Sequence, residues 1–244
     1  MSNQVWLGGA HIDERGQATG GAAGDQTGRE LSVSRYYTHK LGWRVFRSPN
    51  VTSRGLIADA MLAACDNPHI GYDQSQRDTL YKAAAKHGFD PALVTTDVET
   101  DCSALVRVCC AYAGYRLPNI RTASEPQALL KAGFAELVLN PDQLQRGDIL
   151  CTPAAGHTEI VVRVDGQPDP EREEDKMDTI RRGSKSYQVK VMQQLLRMWG
   201  CVIAVDGDCG PRTEQAIMAF QSGYGLTADG VCGPRTWAAL LRGE

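Results

Sequence analysis

Cys102 stands where a thiol can be activated as a nucleophile. Apolar residues recur at helical spacing through VETDCSALVRVCCAYAG, and Gly114 ends the pattern. Thr100 or Asp101 is suited to cap the start of this helix, which puts Cys102 in its first turn. Unpaired backbone N–H groups there lower the pKa of a thiol and can stabilise an oxyanion. A lone cysteine at a helix start is commonly structural, so the prediction of a nucleophile with a lowered pKa requires a nearby base.

His157 is the candidate base. The stretch GDILCTPAAGHTEIVVRV predicts a strand, a turn and a second strand that opens with His157. His39, His69 and His87 lie in polar stretches that are typical of solvated loops. Alone, His157 could be a surface histidine at a strand edge. Together with Cys102 it forms the pair that activates a cysteine, in which the imidazole takes up the thiol proton.

Near its end the chain contains nearly the same octapeptide twice. DGDCGPRT begins at Asp206 and DGVCGPRT begins at Asp229. In each copy Asp-Gly and Gly-Pro favour a tight turn, and the proline suits the first position of a helix. An amphipathic helix, YQVKVMQQLLRMWG, precedes the first copy, and an apolar helical face follows each copy. The pattern predicts a small bundle of three short helices joined by two matched turns.

This tail, from Ser184 to Leu241, resembles the type-one peptidoglycan-binding module of cell-wall hydrolases. The resemblance rests on VKVMQQLL, the two repeated turns, AIMAFQ, YGL and the closing TWAAL. It implies a module that holds the protein on the bacterial wall. Asp206, Asp229 and Trp237 are the residues that we expect to serve wall binding.

Cys209 and Cys232 occupy positions where members of that family often carry an aromatic or aliphatic residue. Two interpretations stay open: two small buried thiols, or a disulfide that forms after exposure to an oxidising exterior. The chain has eight cysteines, none in a CxxC motif and none with a histidine at ligand spacing. We therefore expect reduced thiols, no metal and no cofactor.

A charged segment divides the chain. From Gly166 to Ser186 the sequence reads GQPDPEREEDKMDTIRRGSKS, which has two prolines, many charges and little to bury. That composition is typical of a linker. We predict a first domain over residues 1–165, a charged linker over 166–182 and the binding module over 183–244.

The first domain resembles the NlpC-type papain-fold cysteine peptidases of bacterial cell walls and the related CHAP amidases, especially those of phages. The resemblance spans Ile12 to Val164 and rests on TDCSALV followed by RGDIL and GHTEIVV. It implies an α+β fold with a papain-like domain beside the small three-helix bundle. It also implies that Cys102 is the nucleophile and His157 the general base. Tyr72, in IGYD, matches a tyrosine that lines the cleft of such enzymes.

Two residues flank the nucleophile as in that family. The resemblance assigns Asp101 and Ser103 to the substrate-binding side of the site, where they shape the turn that carries Cys102.

The chain departs from the family at the third residue, which orients the histidine. The family usually places it on the strand after the histidine strand, but Asp165 and Gln167 lie there in linker sequence. The opening GAHIDERG resembles the start of phage lysins, so we expect a permuted arrangement in which the N-terminal strand pairs beside the histidine strand. Alternate side chains of a strand share one face, so a residue at the end of the N-terminal strand can lie on the same face of the sheet as His157. His11 is then the first candidate orienter. Asp13, Asp165 and Gln167 stay open as alternatives.

These features predict an endolysin-like peptidoglycan hydrolase that cleaves an amide bond in the peptide part of the wall. Both an endopeptidase and an N-acetylmuramoyl-L-alanine amidase would use the same Cys/His pair. A non-catalytic wall-binding protein and a papain-fold acyltransferase are further alternatives.

Composition limits the other function classes. The 244 residues carry a net charge of −3, with no basic run that favours nucleic acid. No stretch approaches the roughly 20 apolar residues that span a bilayer, so no stable membrane association is expected. The first residues lack a cationic start and a long apolar segment. We expect a protein made in the cytoplasm without a signal peptide that acts on peptidoglycan, its one expected partner, after release.

Overall fold

The computed structural model describes residues 4–153, 156–167 and 177–241. The chain forms two compact units, Met1–Pro170 and Glu171–Glu244. Residues 168–176 of the predicted linker lie outside the described residues. None of the described helices is both long enough and apolar enough to cross a membrane.

The first unit mixes strands and helices, as predicted. Its strands are β1 (Val5–Ala10), β2 (Leu31–Arg35), β3 (Arg44–Arg47), β4 (Ile70–Tyr72), β5 (Val98–Thr100), β6 (Ala135–Leu137), β7 (Ile149–Cys151) and β8 (Thr158–Val164). Its helices are α1 (Val51–Cys65), α2 (Thr79–Ala84), α3 (Cys102–Tyr112) and α4 (Glu125–Lys131), with single 3-10 turns at Ala85–His87, Pro91–Leu93 and Pro141–Gln143. Six strands form one antiparallel sheet in the order β2-β1-β8-β7-β3-β6, and β4 pairs with β5 in parallel.

The N-terminal strand lies inside the large sheet. β1 pairs with β2 on one side and β8 on the other, with Gly8 opposite Ile160. The predicted pairing of the N-terminal strand beside the histidine strand is therefore confirmed. A Cβ atom at Gly8 would lie 2.5 Å from Met61 Cγ and 2.9 Å from Val162 Cγ1. Glycine is required here because α1 packs directly on the sheet at this point.

Helix α3 begins where the sequence predicts. Asp101 is its N-cap, and Asp101 Oδ1 accepts a hydrogen bond of 2.7 Å from the backbone N–H of Ala104. Cys102 is the first residue of the helix, and Gly114 follows its end with a φ of +93°. The predicted apolar stripe is buried in the main core, including Leu105 and Val108.

The second unit is a bundle of three helices, α5 (Tyr187–Met198), α6 (Pro211–Gly223) and α7 (Pro234–Leu241). The last two begin at the prolines of the two repeats, as predicted. The sequence thus identified both the number of helices and the turns that start two of them.

A buried glutamine holds each repeat. Gln193 Nε2 donates to Asp206 Oδ1 over 2.8 Å, and Gln193 Oε1 accepts from the Gly207 N–H over 2.9 Å. Gln221 makes the same contacts with Asp229 Oδ1 (2.9 Å) and the Gly230 N–H (3.0 Å). The two turns are therefore one structural unit used twice.

The core of the second unit corrects one prediction. Trp237 is fully buried, and its indole N–H donates to the carbonyl of Asp178 over 3.0 Å. A side chain without exposed surface cannot contact the wall, so Trp237 is a core residue rather than a binding residue. Cys209 and Cys232 are also buried, and both are free thiols.

The end of the predicted linker packs into this bundle. Ile180 is buried and exchanges backbone hydrogen bonds of 3.0 Å and 2.8 Å with Cys232. The described residues 177–182 therefore belong to the helical unit, because Ile180 fills its core despite the charged residues around it.

Candidate active site

Cys102 lies at the contact between α3 and the start of β8. Its side chain is buried, with the residue only 7% exposed. The backbone N–H groups of Ser103 and Thr158 lie close enough to the thiol to lower its pKa. Because Thr158 directly follows His157, the structure brings the two predicted catalytic residues into one place.

Burial makes this thiol weakly acidic. Loss of solvent and, to a smaller extent, the carboxyl groups of Asp101 and Glu125 raise the pKa of Cys102 to about 12, although the two N–H groups act in the opposite direction. The predicted lowered pKa is therefore wrong for the free protein. Position at a helix start does lower the pKa of a thiol, but desolvation outweighs that effect here. At neutral pH Cys102 is therefore a neutral thiol.

His157 is hydrogen-bonded to a buried carboxylate. His157 Nε2 lies 3.0 Å from Glu159 Oε1, and Glu159 is fully buried. Tyr37 Oη donates to the same oxygen over 2.8 Å. Hydrogen bonding at Nε2 fixes the tautomer and leaves Nδ1 as the nitrogen that can accept a proton. Burial raises the pKa of Tyr37, which keeps this hydroxyl a donor.

The sequence analysis missed Glu159. A signal was present, because Glu159 is the one charged residue within TEIVV and lies two residues from His157, on the same strand face. Gly9 makes room for it, since a Cβ atom there would lie 3.0 Å from Glu159 Cγ.

His11 lies beside His157 as predicted. The two ring centroids are 5.4 Å apart. Burial lowers the pKa of His11, with the proximity of His157 acting in the same direction, while Glu159 and the Ser32 carbonyl raise it. His11 is thus next to the His157–Glu159 pair, and Glu159 is the group within hydrogen-bond distance of His157.

The other three candidate orienters have partners elsewhere. Asp13 accepts hydrogen bonds from Arg15 and from the Gln17 N–H. Asp165 binds the indole of Trp6 and the guanidinium of Arg163, and Gln167 Nε2 donates to the Leu144 carbonyl over 3.2 Å. Their own contacts hold them to other parts of the first unit.

Asp101 and Ser103 form a buried network under the helix start. Ser103 Oγ donates to Asp101 Oδ1 over 3.0 Å and accepts from Arg77 over 2.9 Å. Arg77 Nε lies 2.9 Å from Asp101 Oδ2. Both predicted residues are almost fully buried, so this geometry favours a role in shaping the turn and does not favour the predicted contact with substrate.

Tyr72 and an aromatic group surround the site. Tyr72 is close enough to Cys102 for the two groups to influence each other electrostatically, and its hydroxyl accepts from Gln74 Nε2 over 2.9 Å. Trp43 lies with its ring centroid 6.3 Å from that of His157 and contacts Tyr37 edge-on at 5.7 Å. His157 itself keeps 18% of its side chain exposed, so it is accessible between these groups.

Glu125 is fully buried and close enough to Cys102 to raise the pKa of its thiol. Thr158 Oγ1 lies 2.7 Å from Glu125 Oε1 and 2.9 Å from the Leu150 carbonyl oxygen. One hydroxyl proton cannot serve two acceptors. Burial raises the pKa of Glu125 to about 8, so the protonated acid donates to Thr158, whose hydroxyl donates to Leu150.

Three side chains of the site are of the types that bind metal ions and lie close together. The ligand atoms of His11, His157 and Glu159 all lie within 4.8 Å of one another. The first unit also has an open hollow of about 360 Å³, lined by Ile12, Asp13, Gly16, Thr27 and Arg29, and none of these three side chains lines it.

Two family models match the chain. The endolysin-like domain matches residues 7–168, and the peptidoglycan binding domain matches residues 185–240. No curated protein matches.

Two solved structures are similar to the chain in part. The Burkholderia AP3 phage endolysin is 39% identical over 26% of this chain and 25% of its own, with a TM-score of 0.26. The chain thus spans about a quarter of that protein. A peptidoglycan-binding protein from Clostridioides difficile, solved with glutamine hydroxamate, is 18% identical over 69% of this chain and 90% of its own, with a TM-score of 0.27. Both TM-scores are too low for a comparison of folds.

Proposed function

Because the chain belongs to the endolysin-like domain family, we propose that it is a peptidoglycan hydrolase that cleaves an amide bond of the wall with Cys102 as the nucleophile. One observation carries the proposal. The Thr158 N–H lies close enough to the Cys102 thiol to lower its pKa, and the preceding residue, His157, is hydrogen-bonded to the buried Glu159. A cysteine, an imidazole and a carboxylate in this order form the arrangement that activates a nucleophile.

The first step starts from a neutral thiol. Cys102 Sγ attacks the amide carbonyl carbon while its proton moves to His157 Nδ1. The imidazolium that forms is stabilised by the Glu159 carboxylate at Nε2. The N–H of Cys102, in the first turn of α3, is available to the developing oxyanion.

The second step returns the enzyme to its starting state. His157 gives its proton to the leaving amine as the C–N bond breaks, which leaves a thioester on Cys102. Water, deprotonated by His157, attacks the thioester and releases the acid. The thiol regains its proton from His157, so no further reactant is required.

The fold is proposed to be papain-like. Support comes from a cysteine at the start of a helix, packed against an antiparallel sheet whose strand β8 begins just after the histidine. β1 supplies His11 from the other side of β8. This matches the permuted arrangement expected from the sequence.

The contacts in the site suggest a role for each residue around Cys102 and His157. Glu159 replaces His11 as the proposed orienter of His157, because it accepts the hydrogen bond at Nε2. His11 is proposed to support this pair from β1, and Tyr72 to line the cleft near Cys102. Asp101 and Ser103 hold the turn through Arg77.

The helical unit is proposed to anchor the enzyme on peptidoglycan. Its match to the peptidoglycan binding domain supports this role. Asp206 and Asp229 would act by fixing the two turns, since both accept from a buried glutamine. A second contact with the same wall becomes intramolecular and raises the local substrate concentration.

Mass analysis of digested walls tests this proposal. Purified peptidoglycan is treated with the full chain, with Cys102→Ala and with Cys201→Ala, a matched loss of a thiol from the helical unit. The full chain and Cys201→Ala should release fragments with new amine termini, and Cys102→Ala should release none. The position of the new amine distinguishes endopeptidase from amidase cleavage. Equal release by all three proteins, or new crosslinks instead of fragments, would contradict the proposal.

A further inference from the structure

His11, His157 and Glu159 form a compact donor set. Two imidazoles and one carboxylate offer ligand atoms within 4.8 Å of one another, and the His157 Nε2 to Glu159 Oε1 distance is 3.0 Å. Among the described residues this is the one cluster of three or more His, Cys, Asp or Glu groups that is close enough to share an ion. Glu159 lies in β8, His157 directly precedes this strand, and His11 directly follows the adjacent β1, so the sheet holds all three in place.

One carboxylate oxygen of Glu159 is free to bind a ligand. Its Oε1 accepts hydrogen bonds from Tyr37 and His157. Its Oε2 is buried and has no hydrogen-bond partner among the described residues. A buried carboxylate oxygen left unpaired is costly. A cation at this point would satisfy it.

The surroundings also match those of metal ligands. Histidines that bind a metal usually donate their other ring N–H to a carbonyl or carboxylate. The backbone carbonyl of Ser32 lies near the His11 ring, where such a partner would stand. Gly9 leaves the space that the Glu159 side chain occupies.

We propose that His11, His157 and Glu159 bind a zinc ion and that the zinc-loaded protein is inactive. Two imidazoles and a carboxylate suit zinc, whereas magnesium and calcium prefer oxygen ligands throughout. Three protein ligands leave one position of a tetrahedral ion for water.

Inactivation follows from the use of His157. Zinc at Nε2 displaces the proton that this nitrogen shares with Glu159. Nδ1 then belongs to an imidazole that is bound to a dication, and the carboxylate that would stabilise an imidazolium is occupied. The thiol proton of Cys102 has no acceptor. This part rests on the proposed cysteine mechanism, whereas zinc binding itself does not.

Zinc binding is measured on an inactive protein. The full chain carrying Cys102→Ala is titrated with zinc chloride by isothermal titration calorimetry, beside Cys102→Ala/His11→Ala and Cys102→Ala/His69→Ala. His69 is the matched control, because it pairs with Asp97 at the surface, 2.7 Å away. The parent and the His69 variant should bind one zinc ion equally. The His11 variant should bind more weakly by well over about tenfold, the lower end of the loss caused even by an outer-sphere partner.

Two further measurements test whether misfolding, rather than loss of a ligand, explains weaker binding. Cys102→Ala/His11→Gln keeps a polar side chain at the position, and thermal unfolding confirms that each variant is folded. Equal zinc affinity in the His11 and His69 variants, or no binding by the parent, would overturn the site.

The effect on catalysis is tested on the unmodified chain. Zinc should stop wall digestion, and a chelator should restore it. Zinc binding with undiminished digestion would overturn the inhibitory role. Loss of digestion with the chelator alone would instead overturn the proposed cysteine mechanism, so the two failures are distinguishable.

Discussion

Gln193 and Gln221 in the helical unit are as deeply buried as Glu125 and Glu159 in the first unit, yet the two pairs differ in their contacts. Each glutamine uses both its amide nitrogen and its oxygen in hydrogen bonds. Each glutamate has one buried oxygen without a hydrogen-bond partner among the described residues. Neutral, satisfied amides fix a turn. The carboxyl groups, each with one unpaired oxygen, lie near Cys102 (Glu125) and His157 (Glu159).

The difference separates structural from chemical roles. A satisfied buried amide contributes to stability and has nothing left to offer a ligand. A buried carboxyl group with a free oxygen costs stability, and such groups concentrate at functional sites. A change at Glu159 should therefore alter turnover, a change at Glu125 should alter the pH dependence of stability, and changes at the glutamines should alter stability and wall binding.

The largest expected effect is that of Glu159→Gln. The amide keeps the volume but removes the negative charge that stabilises the His157 imidazolium. We expect kcat to fall by about 10²- to 10⁴-fold, the range set by loss of an orienting carboxylate in a catalytic triad, with little change in KM. Steady-state cleavage of soluble wall fragments measures both. Glu136→Gln, which removes a surface carboxylate paired with Arg44, should leave kcat unchanged; equal losses in the two variants would contradict the assignment.

His11→Ala should have a smaller effect. His11 contacts the pair but is not the hydrogen-bond partner of His157, so we expect turnover to fall by roughly 10- to 1000-fold. Asp165→Ala and Gln167→Ala should be nearly silent, because these residues bind Trp6, Arg163 and Leu144. The same kinetic assay compares the three. Full activity in His11→Ala with loss in Gln167→Ala would mean that the third residue comes from the end of the domain.

Glu125→Gln should change how stability depends on pH. The pKa of Glu125 is raised to about 8 in the folded protein from 4.5, so its favourable contribution is complete below about pH 4.5 and is lost as pH rises towards 8. Glutamine keeps the hydrogen bond to Thr158 and cannot ionise. Between pH 5 and 8 the wild-type protein should therefore lose on the order of a few kcal/mol more stability than the variant.

Urea unfolding at the two pH values measures this difference. Glu99, whose pKa burial also raises to about 8, titrates in both proteins and cancels in the comparison. Identical pH dependence in the two proteins would show that Glu125 is ionised in the native state at neutral pH.

The smallest effect is expected from Gln221→Ala. The change leaves the Gly230 N–H and other buried groups of the second repeat unpaired, which costs about 1–3 kcal/mol. Thermal unfolding should show a lower transition temperature for the helical unit, and binding to sacculi should weaken. Cleavage of soluble fragments should not change. Gln194→Ala, an exposed glutamine of α5, is the control, and equal destabilisation by the two variants would contradict the structural role of Gln221.

Local patterns predicted much of the fold. The cap at Asp101, the helix start at Cys102 and the two proline-started helices follow from turn and cap chemistry, which acts within a few residues. The pairing of β1 with β8 was predicted from the resemblance of the N-terminus to phage lysins.

Local patterns could not predict burial that depends on contacts between residues far apart in the chain. The pKa of Cys102 depends on desolvation and on Glu125, which lies 23 residues further along the chain. Glu159 lies in a strand whose sequence pattern does not show which of its faces is covered, and the sheet and its neighbours bury it fully. Trp237 likewise became a core residue because Asp178, within the predicted linker, folds back on it.

A covalent intermediate on Cys102 is the most direct test of the central claim. The full chain is mixed with soluble wall peptides, quenched in acid within the first turnovers, digested, and mapped by mass spectrometry. The account predicts a thioester, with the mass of the acyl half of the substrate, on the peptide that contains Cys102, and no adduct in Cys102→Ala. Substrate cleavage at an undiminished rate by Cys102→Ala, or an acyl adduct on another residue, would contradict it.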